Sequence, residues 1–212
     1  MYRDKARYGQ DPLKVVRSRT TFNAPLKWPE PRVIFTCSWS DFFMKEADDW
    51  RDAAWDIIRS TPQHTYQILT KRPERIADHL PSDWDRQDRW KHVWLGVSCE
   101  NQETANDRIP ILLQTPAAIH WVSAEPLLGP IHFCGLGGCC SEYRDYPLDW
   151  IVFGGESGSD FRAMEIDWLR DGIEQCKEGG VKIFTKQDSG FKPGQQGRIP
   201  DELWLKEFPK AA

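Results

Sequence analysis

Six short apolar runs recur along the chain at intervals of about thirty residues, the length of one strand–helix unit in a parallel α/β fold. They are RVIFTCSWSD from Arg32, YQILTKRPE from Tyr66, HVWLGVSCEN from His92, AIHWVSAEP from Ala118, DWIVFGGESG from Asp149 and VKIFTKQDSG from Val181. Each is rich in β-branched or aromatic residues and nearly continuous in its hydrophobicity. That is the pattern of a strand covered on both faces, not of one that alternates between core and water. The spacing predicts an α/β fold, a partial or open TIM-like (β/α) barrel of about six parallel strands with helices outside.

The segments between the runs supply the helices. Trp50, Ala54, Ile57 and Ile58 share a helical face in WRDAAWDIIRS, and ERIADHL after Pro73 reads as a short helix. Ala105, Ile109, Leu112 and Leu113 share a face in ETANDRIPILLQ, where Pro110 either kinks the helix or starts it. In DWLRDGIEQCKEGG, Asp167 is the expected N-cap, Trp168, Leu169, Ile173 and Cys176 point inward, and Gly179 or Gly180 is the C-cap. TTFNAPLKWPEP reads as an extended connector, and the tail after KPGQQGRIPDELW as a surface loop and closing segment. The expected organisation is a single domain over 1–212, with an N-terminal helix and connector over 1–31 and a Cys/Gly-rich insertion over 129–148.

In a parallel sheet every strand C-terminus lies on the same side, and ligand sites form there. Charged or polar clusters follow all six runs. Asp41, Lys71, Arg72, Glu100, Glu125, Glu156, Lys186 and Gln187 are therefore expected to line one mouth. Lysine and arginine would position an anionic ligand, and carboxylates would orient an amine, hold Mg²⁺ or act as a general base. Pairing of the carboxylates with Lys71, Arg72 and Lys186 is the competing expectation and is compatible with ligand binding. Gly154, Gly155 and Gly158 let the backbone approach that mouth closely, either to meet a ligand or simply to turn the chain, and Gly154, Gly155 and Ser157 are the candidate cofactor contacts. Neither GxGxxG nor GxxxxGK[ST] is present.

A net charge of −4 gives no overall attraction to nucleic acid or an anionic membrane. No stretch approaches the ~20 apolar residues needed to span a bilayer. The N-terminus lacks the apolar segment of a secretion signal, so the expected location is the cytoplasm, with the six cysteines reduced. His132, Cys134, Cys139 and Cys140 are the one dense group of soft ligands, but adjacent cysteines suit a flexible insertion better than a tetrahedral zinc site. Cys37 and Cys99 read as small core residues, and the eleven tryptophans as core and groove walls. The basic N-terminal YRDKARYG reads as a solvated helix face.

The stretches FTCSWSDFF, QILTKRPERI, WLGVSCENQETANDRIPILLQTPA, WVSAEPLLGPI, LDWIVFGGESG and IFTKQ together resemble an uncharacterised phage-associated family described as three-Cys-motif, radical-SAM-like proteins. The resemblance runs from about Tyr2 to Asp188. It implies a partial (β/α) barrel, and a [4Fe-4S] cluster that cleaves S-adenosylmethionine, held by three cysteines preceding the region matching YRDKARYG. This sequence begins at Met1, beyond that motif, so the chain is expected to lack the iron–sulfur centre and to have a truncated or shortened start. Gly154–Gly155–Glu156 resembles a stretch that contacts the S-adenosylmethionine amino group in radical enzymes, though here it follows a late strand.

The leading expectation is thus a phage or prophage radical-SAM-like protein with a polar pocket for a small anionic ligand or nucleic acid. The alternatives are a non-catalytic module whose open barrel is covered by a protein partner, and a metal-dependent hydrolase using the acidic rim.

Overall fold

A computed structural model of the chain describes residues 15–18, 20–38, 40–133 and 148–210. All six apolar runs form strands: β1 (Val33–Phe35), β2 (Thr65–Thr70), β3 (Val93–Ser98), β4 (Ile119–Ala124), β5 (Trp150–Gly154) and β6 (Lys182–Gln187). They pair in chain order as one all-parallel sheet, curled into a half-barrel. Three longer helices connect them: α1 (Asp48–Ser60), α2 (Gln102–Leu112) and α3 (Ile166–Gly179). Sequential parallel strands joined by right-handed crossovers place every helix on the same face. The packing agrees, since Trp55 and Ile58 of α1, Ile109 and Leu112 of α2, and Leu169 and Ile173 of α3 share one core with Leu95, Val122 and Ile151 of the sheet.

Side chains alternate across the sheet, so the neighbours of those residues point the other way. Trp94, Ile119, Trp121, Trp150 and Val152 form a second cluster on the concave face. Phe35 on β1 and Trp121 on β4 meet edge to face at 6.2 Å between ring centroids. A flat sheet would hold those two strands about 14 Å apart, so this contact reports the curl directly. Trp94 and Trp150 meet at 5.8 Å across the intervening β4. Gly96 makes the arrangement feasible, because the Trp121 indole lies 2.5 Å from where a Cβ on residue 96 would sit. The concave interior is therefore a packed aromatic plug in its lower part, like the filled centre of a closed barrel.

The two sheet edges differ. The segment after α3 and β6 returns to cover β6: Thr185 N–H donates to Leu205 C=O and Glu207 N–H to Ile183 C=O, both at 2.8 Å. At the other edge, Val33 is 60% and Phe35 45% exposed.

Local details depart from the sequence reading in four places. The inward face of α1 is Arg51, Trp55 and Ile58, with Trp50 only half-buried. The guanidinium of Arg51 is buried because it donates to Phe42 C=O, Met44 C=O and Asp48. Glu165, not Asp167, occupies the N-cap of α3, and Asp167 sits in its first turn, while Gly180 closes the helix at φ 70°. ERIADHL forms two 3₁₀ turns instead of one helix, and the expected extended connector contains a 3₁₀ turn over Ala24–Lys27. Pro110 lies inside α2, whose start is set by Asn101 accepting from Thr104 N–H. The N-terminal helix expected before residue 15, and Cys134, Cys139 and Cys140 of the insertion, lie outside the described residues. Among the described residues no helix is long and apolar enough to cross a membrane.

Candidate functional site at the strand C-termini

Asp41, six residues beyond β1, ties the ends of two strands together. Its Oδ1 accepts from Phe43 N–H (2.9 Å) and the Thr70 hydroxyl (2.8 Å), and its Oδ2 from Lys71 N–H (2.9 Å) and the Arg72 guanidinium (2.9 Å). Two of those donors belong to the turn after β2, so the ends of β1 and β2 converge on one buried carboxylate. With four donors in place, Asp41 has little capacity left for a metal or a reacting proton.

Glu100, just past β3, is the centre of the next group. Lys71 Nζ pairs with its Oε1, and Arg108 Nη1 from α2 reaches its Oε2 at 3.1 Å while also donating to Ser98 C=O at 2.6 Å. Two cations therefore share one carboxylate. Burial, followed by the charge of Arg108, lowers the Lys71 pKa. Cys99 lies beside this group with its thiol pushed up to about 12 by burial, which leaves it protonated and unreactive at neutral pH.

Glu125 follows β4, and Lys186 lies near the end of β6. Lys186 Nζ holds both Glu125 oxygens, at 2.8 and 2.9 Å. The pair crosses above β5 at Gly154, where a Cβ would stand 3.2 Å from Glu125 Cδ and Cγ. Gly155 serves a different contact. A Cβ there would stand 2.2 Å from the Ser189 backbone nitrogen, so the space beside it is filled by the chain after β6.

The remaining expected site residues are bound into the same scaffold. Arg162 grips Glu156 with Nε and Nη2, both at 2.8 Å, and its own N–H also donates at 2.8 Å. These bonds hold the Glu156 carboxyl down at about 2. Ser157 bridges to Gly190. Gln187 is buried, donating to Gly155 C=O at 2.8 Å and accepting from Gly194 N–H at 2.9 Å, so it braces the loops and does not line the mouth.

The structure thus gathers Asp41, Lys71, Arg72 and Glu100 into one cluster and Glu125 and Lys186 into a second, on the C-terminal side of the sheet. Glu156 and Ser157 stand with Arg162 and Gly190 beyond β5. The sequence reading missed Arg108, Arg162 and Arg198, the last of which holds buried Asp188 at 2.8 Å. None follows a strand directly. Their common signal is an arginine six to ten residues beyond a strand-end carboxylate, which is too ordinary a pattern to single out.

Among the described residues no group of three or more His, Cys, Asp or Glu side chains is placed to hold a metal ion. Each rim carboxylate instead faces lysine or arginine. Of the described cysteines, Cys176 is buried with its thiol pushed up to about 12, and Cys37, expected in the core, is instead exposed beyond β1 beside Ser40. The described residues therefore do not fit an iron–sulfur cluster, which needs several converging thiolates. A groove of about 580 Å³ at the opposite end of the strands, bordered by Asp149, Lys182 and Phe208, contains none of these residues.

Compared with known protein families, residues 3–208 match the model of the family described as "Protein of unknown function (DUF5131)". The chain belongs to the DUF5131 family. No curated protein and no solved structure matches it. Membership extends over almost every element described above, from the connector before β1 to the segment covering β6. The family's description carries no activity.

Proposed function

We propose that this protein binds a small anionic ligand at the C-terminal mouth of its half-barrel, and that it is a phage-associated, radical-SAM-like member of its family. The observation that carries the binding reading is the sharing of Glu100 by Lys71 and Arg108. With the Asp41–Arg72 and Glu125–Lys186 pairs neutral, the mouth retains one surplus positive charge in a chain whose net charge is −4. A ligand carboxylate or phosphate would neutralise that charge and relieve the repulsion between Lys71 and Arg108. The phage association and radical-SAM relationship rest on the six ordered motifs. S-adenosylmethionine and a [4Fe-4S] cluster are what that resemblance implies. The paired state of Asp41, Glu100, Glu125 and Glu156 argues against the hydrolase alternative, which would need free carboxylates.

A second reading is favoured by one observation. The β6 edge is covered by the chain itself, whereas β1 presents Val33 and Phe35 to solvent. A protein partner pairing along β1 would cover that edge.

Calorimetric titration with inorganic phosphate, against chloride at matched ionic strength, tests the anion reading. Saturable phosphate binding that is lost in Lys71→Ala is the expected result. Equal behaviour of phosphate and chloride, or unchanged binding in Lys71→Ala, would overturn it. Arg108 still satisfies Glu100 in that variant, so its fold is retained.

A further inference from the structure

We propose that the anion held at the mouth carries a planar, acceptor-rich heteroaromatic ring, the chemistry of a nucleoside monophosphate, and that Gln67, Trp94 and Trp121 receive that ring inside the half-barrel. This rests on the anion-binding reading and extends it to a ligand class.

Three donors on the concave face have no hydrogen-bond partner among the described residues: Gln67 Nε2, Trp94 Nε1 and Trp121 Nε1. Their residues are 7%, 5% and 3% exposed. A buried donor left unpaired costs about 1–3 kcal/mol, and such groups are few in native proteins. Here three stand on three consecutive strands of one face. Gln67 and Trp94 are register partners, and Trp121 stands opposite Gly96, two residues beyond Trp94. They form one contiguous patch.

The chemistry of the patch narrows what would complete it. Indole N–H groups and an amide NH₂ only donate, so the missing partner is an acceptor. The surrounding surfaces are ring faces and edges of Phe35, Trp121 and Trp150. A flat heterocycle with ring nitrogens or carbonyls on its edge satisfies both conditions, because it stacks and it accepts. From Gln67 to Lys71 is four residues along β2, about 13 Å. A ligand using both ends is elongated, with its ring below and its anion above.

Entry follows from how Trp121 is held. Its indole rests on the bare backbone of Gly96 through ring contacts and makes no hydrogen bond. Phe35, which touches it, ends the short and exposed edge strand β1. The ring enters from the β1 side as Trp121 tilts off Gly96, and the ligand selects that arrangement because only there are the donors satisfied.

The test compares AMP and CMP with inorganic phosphate on the full chain, by calorimetry and by tryptophan emission. At least one of the two nucleotides is expected to bind about tenfold more tightly than phosphate and to shift the emission, which phosphate leaves unchanged. Gln67→Leu should bring nucleotide affinity down toward that of phosphate without altering phosphate binding, and Lys71→Ala should weaken both. If phosphate binds and both nucleotides bind no better, the ring site is wrong and the anion site stands. If Gln67→Leu raises the melting temperature and leaves nucleotide affinity intact, the unpaired donors are structural and the proposal fails. Absence of binding by all three probes removes both readings.

Discussion

Lys186 reaches over β5 to hold both carboxylate oxygens of Glu125, at 2.8 and 2.9 Å, in the space that Gly154 leaves open. Two strands that are not sheet neighbours are thereby linked across a third. The glycine eases that passage, because a Cβ there would crowd the Glu125 side chain at 3.2 Å. The adjacent glycine is needed for a separate reason, the approach of Ser189.

These reasons separate experimentally. In Gly154→Ala the new methyl meets the flexible end of Glu125, so the pair shifts and the expected loss is about 1 kcal/mol. In Gly155→Ala it meets the Ser189 backbone, and the loss is expected to reach about 3 kcal/mol. Urea denaturation midpoints of the two variants check the order, and the reverse order would contradict the assignment.

Gly96 and Trp121 should behave as a coupled pair. Gly96→Ala places a methyl inside the indole and is expected to lose about 1–3 kcal/mol, with a red-shifted tryptophan emission. Trp121→Leu in the same chain should recover part of that loss. A double-mutant cycle reads the coupling, and strict additivity would mean that the two side chains do not compete for one space.

Asp41 is expected to be the most sensitive of the rim carboxylates. Asp41→Ala leaves Thr70, Lys71 N–H and Arg72 without their acceptor, a loss of about 3 kcal/mol for a buried charged hub. Lys71→Ala should cost less than about 1 kcal/mol, because Lys71 is half exposed and Arg108 remains on Glu100. Thermal denaturation of the two variants makes the comparison.

The Glu156–Arg162 pair has a defined acid response. The folded pKa of Glu156 is lowered from 4.5 to about 2, so the pair's contribution is fully present above 4.5 and disappears as the pH falls through about 2. NMR titration of the Glu156 carboxyl should give a midpoint near the lower value. In Arg162→Met the midpoint should return toward the ordinary one, and the stability lost between those two pH values should shrink. An unmoved midpoint would show that Arg162 is not the cause.

The strands were legible in the sequence because burial on both faces leaves little room for polar residues, and Val93–Ser98 and Trp150–Gly154 show it most clearly. The face of α1 was harder to read, since Arg51 is buried by hydrogen bonds to loop carbonyls that hydrophobic periodicity does not register. At the mouth, Glu100 and Glu125 could be placed from their position after a strand. Arg108 could not, because it arrives from the helix that follows. Gly155 shows a deeper ambiguity: a residue without a Cβ is equally suited to a ligand and to a neighbouring backbone, and here Ser189 is the occupant. Gln187 looked like a rim residue by position, but two loop contacts draw it into the interior.

The return of the chain over β6 gives the sheet a direction of growth. Among the described residues the sheet is sealed at its last strand and open at its first, so a further strand would pair alongside β1. A relative with more strands, or an assembly built by strand addition, would have to extend the curve from that margin, next to the aromatic plug and away from the Glu125–Lys186 clasp.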